Sequence, residues 1–301
     1  MLAFGATVSG LMPKLYVVTG AASGIGLQLT RDLIAARHSV VAADLNLSGL
    51  ESRAEEHGLL PKSNGAPTSS GSANGSGPAV WLRRLDVRSA ADWDALLNEV
   101  SERLGVPDAV LNVAGYIRPG FSHKNPVELI DTTIDVNLKG VMHGTNAAAR
   151  IMLPAGRGHI VNIASLAGIA AVPGIAAYSA SKHGVRGFTL AVERELAPHG
   201  ISVTVVCPGL VDTPMLDAQV DHDEAAYTFS GTRALTTEEI SSAILKALET
   251  KPLELILSSP FSAQGVMSKL VNTFPGLASV AEPLIKRMGR RQQAKLKKSG
   301  R

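Results

Sequence analysis

The sequence predicts a single α/β domain built on a doubly wound parallel sheet. Three observations carry that prediction. Short apolar segments rich in β-branched residues alternate with amphipathic segments along most of the chain. The first of them runs straight into a glycine-rich turn and then a helical pattern. Asp44, Asp86, Asn112, Ser165 and Pro208 all fall at or just past the ends of the expected strands, which is where open parallel sheets bind their ligands.

The first strand is Lys-Leu-Tyr-Val-Val-Thr at residues 14–19. Thr19-Gly20-Ala21-Ala22-Ser23-Gly24-Ile25-Gly26 follows, then an amphipathic run from Leu27 to about Ala36. Glycines let the backbone turn tightly and approach a pyrophosphate with no Cβ in the way, and a helix start offers free N–H groups and a positive dipole end. Gly20, Ser23, Gly24, Ile25 and Gly26 are therefore candidate dinucleotide contacts. The spacing is Gly-x-x-x-Gly-x-Gly, not the commoner Gly-x-Gly-x-x-Gly. The second strand, Ser39 to Ala43, ends in Asp44, 18 residues after Gly26. A carboxylate there accepts hydrogen bonds from the adenosine ribose hydroxyls. It would repel a 2′-phosphate, and Leu45 and Asn46 offer no cation, so NAD is favoured over NADP.

A helix from Leu47 to His57 precedes residues 61–78, a low-complexity stretch of Ser, Gly, Asn and Pro. Such composition cannot bury enough apolar surface to offset its ordering entropy, so a disordered surface insertion is expected. Next come a strand from Ala79 to Leu85 and a helix from Ala90 to Leu104, with Trp93, Leu96, Leu97 and Val100 at helical spacing. The strand Ala109 to Asn112, one long helix from Val127 to Met152, and the strand Ile160 to Ala164 continue the alternation. A helix from Tyr178 to Ala197, the strand Ile201 to Val206, a helix from Glu238 to Glu249 and the strand Leu253 to Leu257 complete it. These bounds set one domain over 14–258. Residues 1–13 are small and apolar, without a basic leader region, and read as a frayed lead-in. Residues 259–301 form an apolar extension with a basic tail.

Tyr178 and Lys182 stand in the sequence Tyr-Ser-Ala-Ser-Lys. Residues four apart on a helix share a face, one turn apart. An ammonium near the phenol stabilises phenolate and lowers the tyrosine pKa from its ordinary value of about 10. A phenol so tuned passes a proton to or from an alcohol oxygen. Ser165 lies upstream.

In conjunction these motifs resemble the short-chain dehydrogenase/reductase family, from about Lys14 to Leu257. Thr19 to Gly26 is similar to its glycine motif. Asn112-Val113-Ala114-Gly115 resembles its Asn-Asn-Ala-Gly motif, with a departure at Val113. Asp86-Val87 corresponds to the Asp that closes the third strand against the adenine. Asn137, in Asp135-Val136-Asn137-Leu138-Lys139-Gly140, matches the helix-borne catalytic Asn, and Ser165, in Ile163-Ala164-Ser165, the catalytic Ser. Pro208-Gly209, followed by Thr213-Pro214, matches the segment after the sixth strand. The resemblance implies a Rossmann fold and NAD(P)-dependent hydride transfer, with Asn137, Ser165, Tyr178 and Lys182 catalytic. It extends the cofactor contacts to Asp86, Val87, Asn112, Ala114, Gly115, Tyr178, Lys182, Pro208, Gly209 and Thr213. It implies that Lys182 also holds the nicotinamide ribose and that Asn137 holds a water joining Lys182 to solvent. It implies a homodimer or homotetramer built through the long helices, one face of which the extension can block.

Leu166 to Ala177 is wholly apolar and is expected to border the pocket, which suits a hydrophobic, steroid-, retinoid- or acyl-chain-like secondary alcohol or ketone. Leu210 to Thr236, containing Met215, Leu216, Tyr227 and Phe229, is expected to form a substrate lid. Two other classes use the same fold: a non-enzymatic NAD-sensing interaction protein, and an epimerase or dehydratase. Loss of Tyr178, Lys182 or Ser165 would favour the first, and all three are present. Asp44, the compact length and the Pro208-Gly209 segment favour the simple dehydrogenase over the second.

Composition narrows the partners. The single cysteine, Cys207, excludes an intrachain disulfide and suits a reducing, cytoplasmic compartment. It ends an apolar strand, so a buried inert thiol is expected. No Cys/His cluster has zinc spacing, and no metal is assigned. The net charge is +3, but Lys286 to Arg301 holds eight Lys or Arg and no acid. The rest of the chain is net acidic, so the basic balance belongs to the tail. That tail has no aromatic platform, which argues against nucleic acid as a partner. Its last ten or so residues are expected to be disordered and solvated. Pro260 to Met288 is apolar, interrupted by Pro275 and Pro283. One reading is a helix packed on the subunit or covering the pocket. The other is an interfacial segment, with Leu270, Phe274, Leu277 and Leu284 in lipid and the lysines on anionic headgroups, giving peripheral membrane contact through 260–301. The first is favoured, because most apolar stripes are core faces.

Overall fold

The computed structural model describes residues 13–59, 80–230, 233–258 and 276–298. The expected lead-in (apart from Pro13) and the 61–78 insertion lie outside the described residues. Seven parallel strands form the sheet, in the order β3-β2-β1-β4-β5-β6-β7. They are β1 (Leu15–Thr19), β2 (Ser39–Asp44), β3 (Val80–Arg84), β4 (Ala109–Asn112), β5 (Gly158–Ile163), β6 (Ile201–Pro208) and β7 (Glu254–Leu257). β1, β4 and β5 are buried along their whole length, as strands covered on both faces must be. The order reverses between β1 and β4, and a crevice opens there beyond the strand ends.

Alternation along β1 assigns the two cores. Leu15 and Val17 point into a cluster with Trp93, Leu96 and Leu97 of α3 (Ala90–Leu104), Ala148 and Met152 of α5 (Gly140–Met152), and Val192 of α6 (Ala176–Leu196). Tyr16 and Val18 point the other way, onto Leu29 and Leu33 of α1 (Gly24–Ala35), Leu50 of α2 (Leu47–Glu56), and Ile240 and Ile244 of α8 (Thr237–Thr250). α8 starts on a reciprocal capping box between Thr236 and Glu239.

The expected single helix from Val127 to Met152 is interrupted. α4 (Val127–Ile134) passes into a π turn at Asp135–Lys139 before α5 begins. Asn137 sits in that turn, fully buried. Its Oδ1 accepts from Tyr116 N at 2.7 Å, and its Nδ2 donates to Tyr116 O at 2.8 Å and to Ser181 Oγ at 3.2 Å. Inserting one extra residue into the helical ladder is how a side chain is turned inward at such a position.

The C-terminal extension corrects one expectation and supports another. α7 (Pro214–Val220) and a 3-10 segment (Asp223–Ser230) are crossed by a long helix, α9 (Gly276–Lys298). The basic tail is therefore helical through Lys298 rather than disordered, because Gln293 is buried and Leu296 packs beside Leu216, Val220 and Phe229. Leu270 and Phe274, and the side chains of Leu277 and Leu284, lie outside the described residues. Among the described residues no helix is long and apolar enough to cross a membrane.

Candidate active site

The site begins with the turn between β1 and α1. Thr19 Oγ1 accepts from Val113 N at 3.0 Å and Ala114 N at 3.1 Å, which fastens the end of β1 to the end of β4. Gly24 has φ +52° with the Thr213 side chain 3.0 Å from where its Cβ would stand, and a Cβ on Gly26 would lie 2.2 Å from the Gly20 carbonyl oxygen. Neither place admits another residue without rearrangement. Ser23, the N-cap of α1, is extended and makes no side-chain cap hydrogen bond, so the first N–H groups of the helix have no cap of their own.

This turn forms one end of a cavity of about 970 Å³. Of the expected site residues, Gly20, Ser23, Gly24, Ile25, Gly26, Asp44, Asp86 and Val87 line it. So do Ala114, Gly115, Ser165, Tyr178, Lys182, Pro208, Gly209 and Thr213. Asp44 is held by two backbone groups, Ala22 N at 3.0 Å and Asn46 N at 2.9 Å. Asp86 is gripped by Arg88 through a 2.6 Å ion pair, and that guanidinium keeps its carboxyl below the usual range.

Two expected residues lie behind the wall. Asn112 is buried, and its amide donates to Asn162 Oδ1 at 2.8 Å and to Thr145 Oγ1 at 3.4 Å. It points from the end of β4 toward α5 and ties sheet to helix instead of facing the cavity. Asn137 lies one layer deep: a Cβ on Gly115 would stand 3.5 Å from its Oδ1 and 3.8 Å from Lys182 Nζ. Its amide is occupied by Tyr116 and Ser181, not by Lys182.

At the centre, Ser165 lies past the end of β5, its Oγ accepting from Ala167 N at 3.1 Å and donating to Pro208 O at 3.4 Å, on the same cavity wall as Tyr178. Tyr178 and Lys182 lie on the first turns of α6. Lys182 is 3% exposed and donates to Ile163 O at 2.8 Å, with Nζ 5.7 Å from the Tyr178 ring centre. The apolar segment expected to border the pocket does so through Leu166, Ala167, Val172 and Ile175, and Met215, Leu216 and Tyr227 of the segment expected to form a lid line the same cavity. Phe229 does not reach the cavity; it packs under α7 with Val220.

The family model for the short chain dehydrogenases matches residues 14–224. The chain belongs to the short-chain dehydrogenase/reductase family. It is similar to the 2-(R)-hydroxypropyl-CoM dehydrogenase of Xanthobacter autotrophicus, at 34% identity over 216 residues, covering 71% of this chain and 80% of that one. It is also similar to a protein of Streptomyces coelicolor named "Putative ketoacyl reductase", at 38% identity over 268 residues, covering 87% and 96%. This short-chain dehydrogenase/reductase is accordingly an oxidoreductase of CH–OH groups with a nicotinamide cofactor. The residues present fit that cofactor: an uncapped helix start and a turn closed to any Cβ face the crevice at the sheet's switch point.

The electrostatics differ from expectation. Part of the Tyr178 ring faces the cavity, yet the surrounding protein pushes its hydroxyl up to about 12, with the Ser165 hydroxyl pulling the other way. Burial likewise pushes Lys182 down to about 8. Desolvation of both charged forms outweighs the tuning that the four-residue spacing predicts. Cys207 is buried and pushed up to about 12 by that burial, which agrees with an inert thiol. Among the described residues no cluster of His, Cys, Asp or Glu could hold a metal ion.

Some wall residues carry no signal in the sequence. Ile285 and Met288 of α9 line the cavity; they lie in the apolar stretch 260–288 expected to pack on the subunit or cover the pocket, but no spacing rule singles out these two. Thr19 and Ser181 act by bracing backbone and side chain, which no spacing rule reports.

Proposed function

We propose that this enzyme moves a hydride between NAD and the carbinol carbon of an apolar secondary alcohol or its ketone. The observation that carries the reading is the shared wall: Ser165, Tyr178 and Lys182 open on the same cavity as the glycine turn and Asp44. When bound, the nicotinamide supplies or accepts the hydride. Tyr178 takes the hydroxyl proton in oxidation and returns it in reduction. Ser165 donates to the substrate oxygen as its charge changes. Lys182 holds the nicotinamide ribose, and its ammonium favours the phenolate against the burial that keeps the phenol protonated here. Asn137 positions this group by bracing Tyr116 and Ser181, and its water link to Lys182 belongs to the same proposal. Asp44 favours NAD because its fixed carboxylate would meet a 2′-phosphate, and Arg88, the cation on that wall, is committed to Asp86. Assembly as a homodimer or homotetramer is part of the reading, as is action on long apolar substrates, which the Leu166–Ile175 wall supports.

The test is Tyr178→Phe. Turnover is expected to fall by at least about a thousandfold while NADH binding, read by fluorescence, stays nearly intact. Wild-type-like turnover would refute the role. A screen of aliphatic, steroid and acyl-chain alcohols and ketones with both cofactors tests the substrate class. A wild-type protein that binds NADH but converts none of them would favour the non-enzymatic alternative.

A further inference from the structure

We propose that α9 is the outer wall of the substrate site, and that Ile285 and Met288 on it set the length of apolar chain the site accepts. The inference rests on the dehydrogenase reading above and extends it to a segment beyond the matched family region, residues 14–224. Ile285 and Met288 lie three residues apart, on one helical face, and line the same cavity as Ser165 and Tyr178. Met288 is 49% exposed and so stands at the rim.

The wall is fixed in place by the rest of that face. A Cβ on Gly289 would lie 1.8 Å from Ala226 O, so the helix backbone rests directly on the 3-10 segment. Gln293 is 3% exposed, and its Nε2 donates to the carbonyls of Gln219 at 3.3 Å, Val220 at 2.9 Å and His222 at 2.7 Å. These carbonyls lie at and just past the carboxyl end of α7; Gln219 O also accepts from His222 N at 3.2 Å and His222 O from Ala225 N at 2.9 Å. One side chain from α9 therefore ties together the carboxyl end of α7 and the start of the 3-10 segment. Because Met215, Leu216 and Gln219 of α7 also line the cavity, Gln293 latches the two halves of the outer wall together. Lys286 over the Tyr227 ring, 5.8 Å from its centre, and the 3.7 Å pair of Lys297 with Asp221 flank the latch. Both are partly solvated and add little.

A wall of this kind selects by steric exclusion. An apolar chain that stops short of Met288 binds, and one that runs past it must displace a thioether or unlatch the helix. A flexible methionine yields a little, and each methylene gained or refused changes discrimination by about 10–200-fold.

The experiment measures the binding of a straight-chain ketone series to the full-length protein saturated with oxidised NAD, which has no hydride to give a ketone, by calorimetry, alongside kcat/KM for the same series with NADH. Met288→Ala is expected to move the longest tightly bound chain upward, and Met288→Trp downward, with the Kd for NADH within about twofold. Gln293→Met fills the same space without donors and is expected to flatten the length preference, with faster hydrogen exchange across α7 and α9. A length profile identical in wild type and both Met288 variants overturns the proposal. A profile that shifts in binding while no ketone is reduced leaves the wall intact and overturns the dehydrogenase reading instead.

Discussion

Lys182 holds its ammonium 5.7 Å from the centre of the Tyr178 ring while donating to the Ile163 carbonyl at 2.8 Å. The lysine is thus pinned to the end of β5, one residue short of Ala164 and two short of Ser165. Its charge stays buried at a cost that pH can reveal. In the folded chain its pKa is pushed down to about 8 from an ordinary 10.5. Between those values the unfolded chain binds the extra proton, so stability rises with pH across the window; below about 8 both states are protonated and the full penalty applies. Lys182→Met is expected to be more stable than the parent at pH 7, by on the order of 1–3 kcal/mol, and to lose that advantage toward pH 10. Calorimetric melting at pH 7, 8.5 and 10 checks this; a difference that does not vary with pH contradicts it.

Asp44 bears on cofactor choice. Its two backbone donors, Ala22 N and Asn46 N, fix the carboxylate at the end of the cavity where the proposal puts the adenosine. Asp44→Ser is expected to move the ratio of kcat/KM for NAD over NADP toward NADP by at least about tenfold, since removing a fixed charge close to a phosphate is worth about that much. The comparison needs both cofactors at one ionic strength. An unchanged ratio would remove Asp44 from the specificity argument.

Gly26 leaves no room for a methyl group, since its Cβ would meet the Gly20 carbonyl at 2.2 Å. Gly26→Ala is expected to raise the Kd for NADH by about tenfold or more by displacing the turn from the helix start. Fluorescence titration reads the Kd, and a far-ultraviolet spectrum like the parent's separates a displaced turn from a misfolded protein.

His159 reports on acid stability. It is buried on β5, its Nε2 2.8 Å from Thr204 Oγ1, and Thr204 in turn donates to Pro252 O at 2.5 Å. Thr204 must therefore accept from the imidazole, which leaves Nδ1 bare. Burial pushes the pKa down to about 4. As pH falls from the ordinary value near 6.5 toward 4, the unfolded chain takes a proton the folded one refuses, and stability drops. His159→Leu is expected to retain on the order of 3 kcal/mol that the parent loses over that interval. Urea melts at pH 7 and pH 4.5 measure it, and parallel losses in both proteins would refute it.

The sheet and its order of elements were legible because parallel strands buried on both faces leave short runs of apolar, often β-branched residues, such as Val40 to Ala43, bounded by turn residues. The cavity residues were legible where a motif has rigid geometry: the glycine turn, and Tyr178 with Lys182 on one helical face. Three things were not. The π turn at Asn137 changes the ladder by a single residue, and a period read over twenty residues does not register it. The inward course of Asn112 depends on Thr145 and Asn162, partners far along the chain. That the extension packs on the subunit was the favoured reading, but its fastening by Gln293 was not legible, because the partners are backbone carbonyls and leave no trace in side-chain pattern. The ionisation of Tyr178 was misjudged for a related reason: spacing shows which charge is near, while burial is a property of the whole fold.

The cluster of Leu216, Val220, Ala225 and Phe229, with Leu296 against it, is separate from the two large clusters on either side of the sheet. A small core of that size opens at a lower free energy than the strands beside it. Gentle warming is therefore expected to loosen this roof over the cavity before the sheet beneath it gives way.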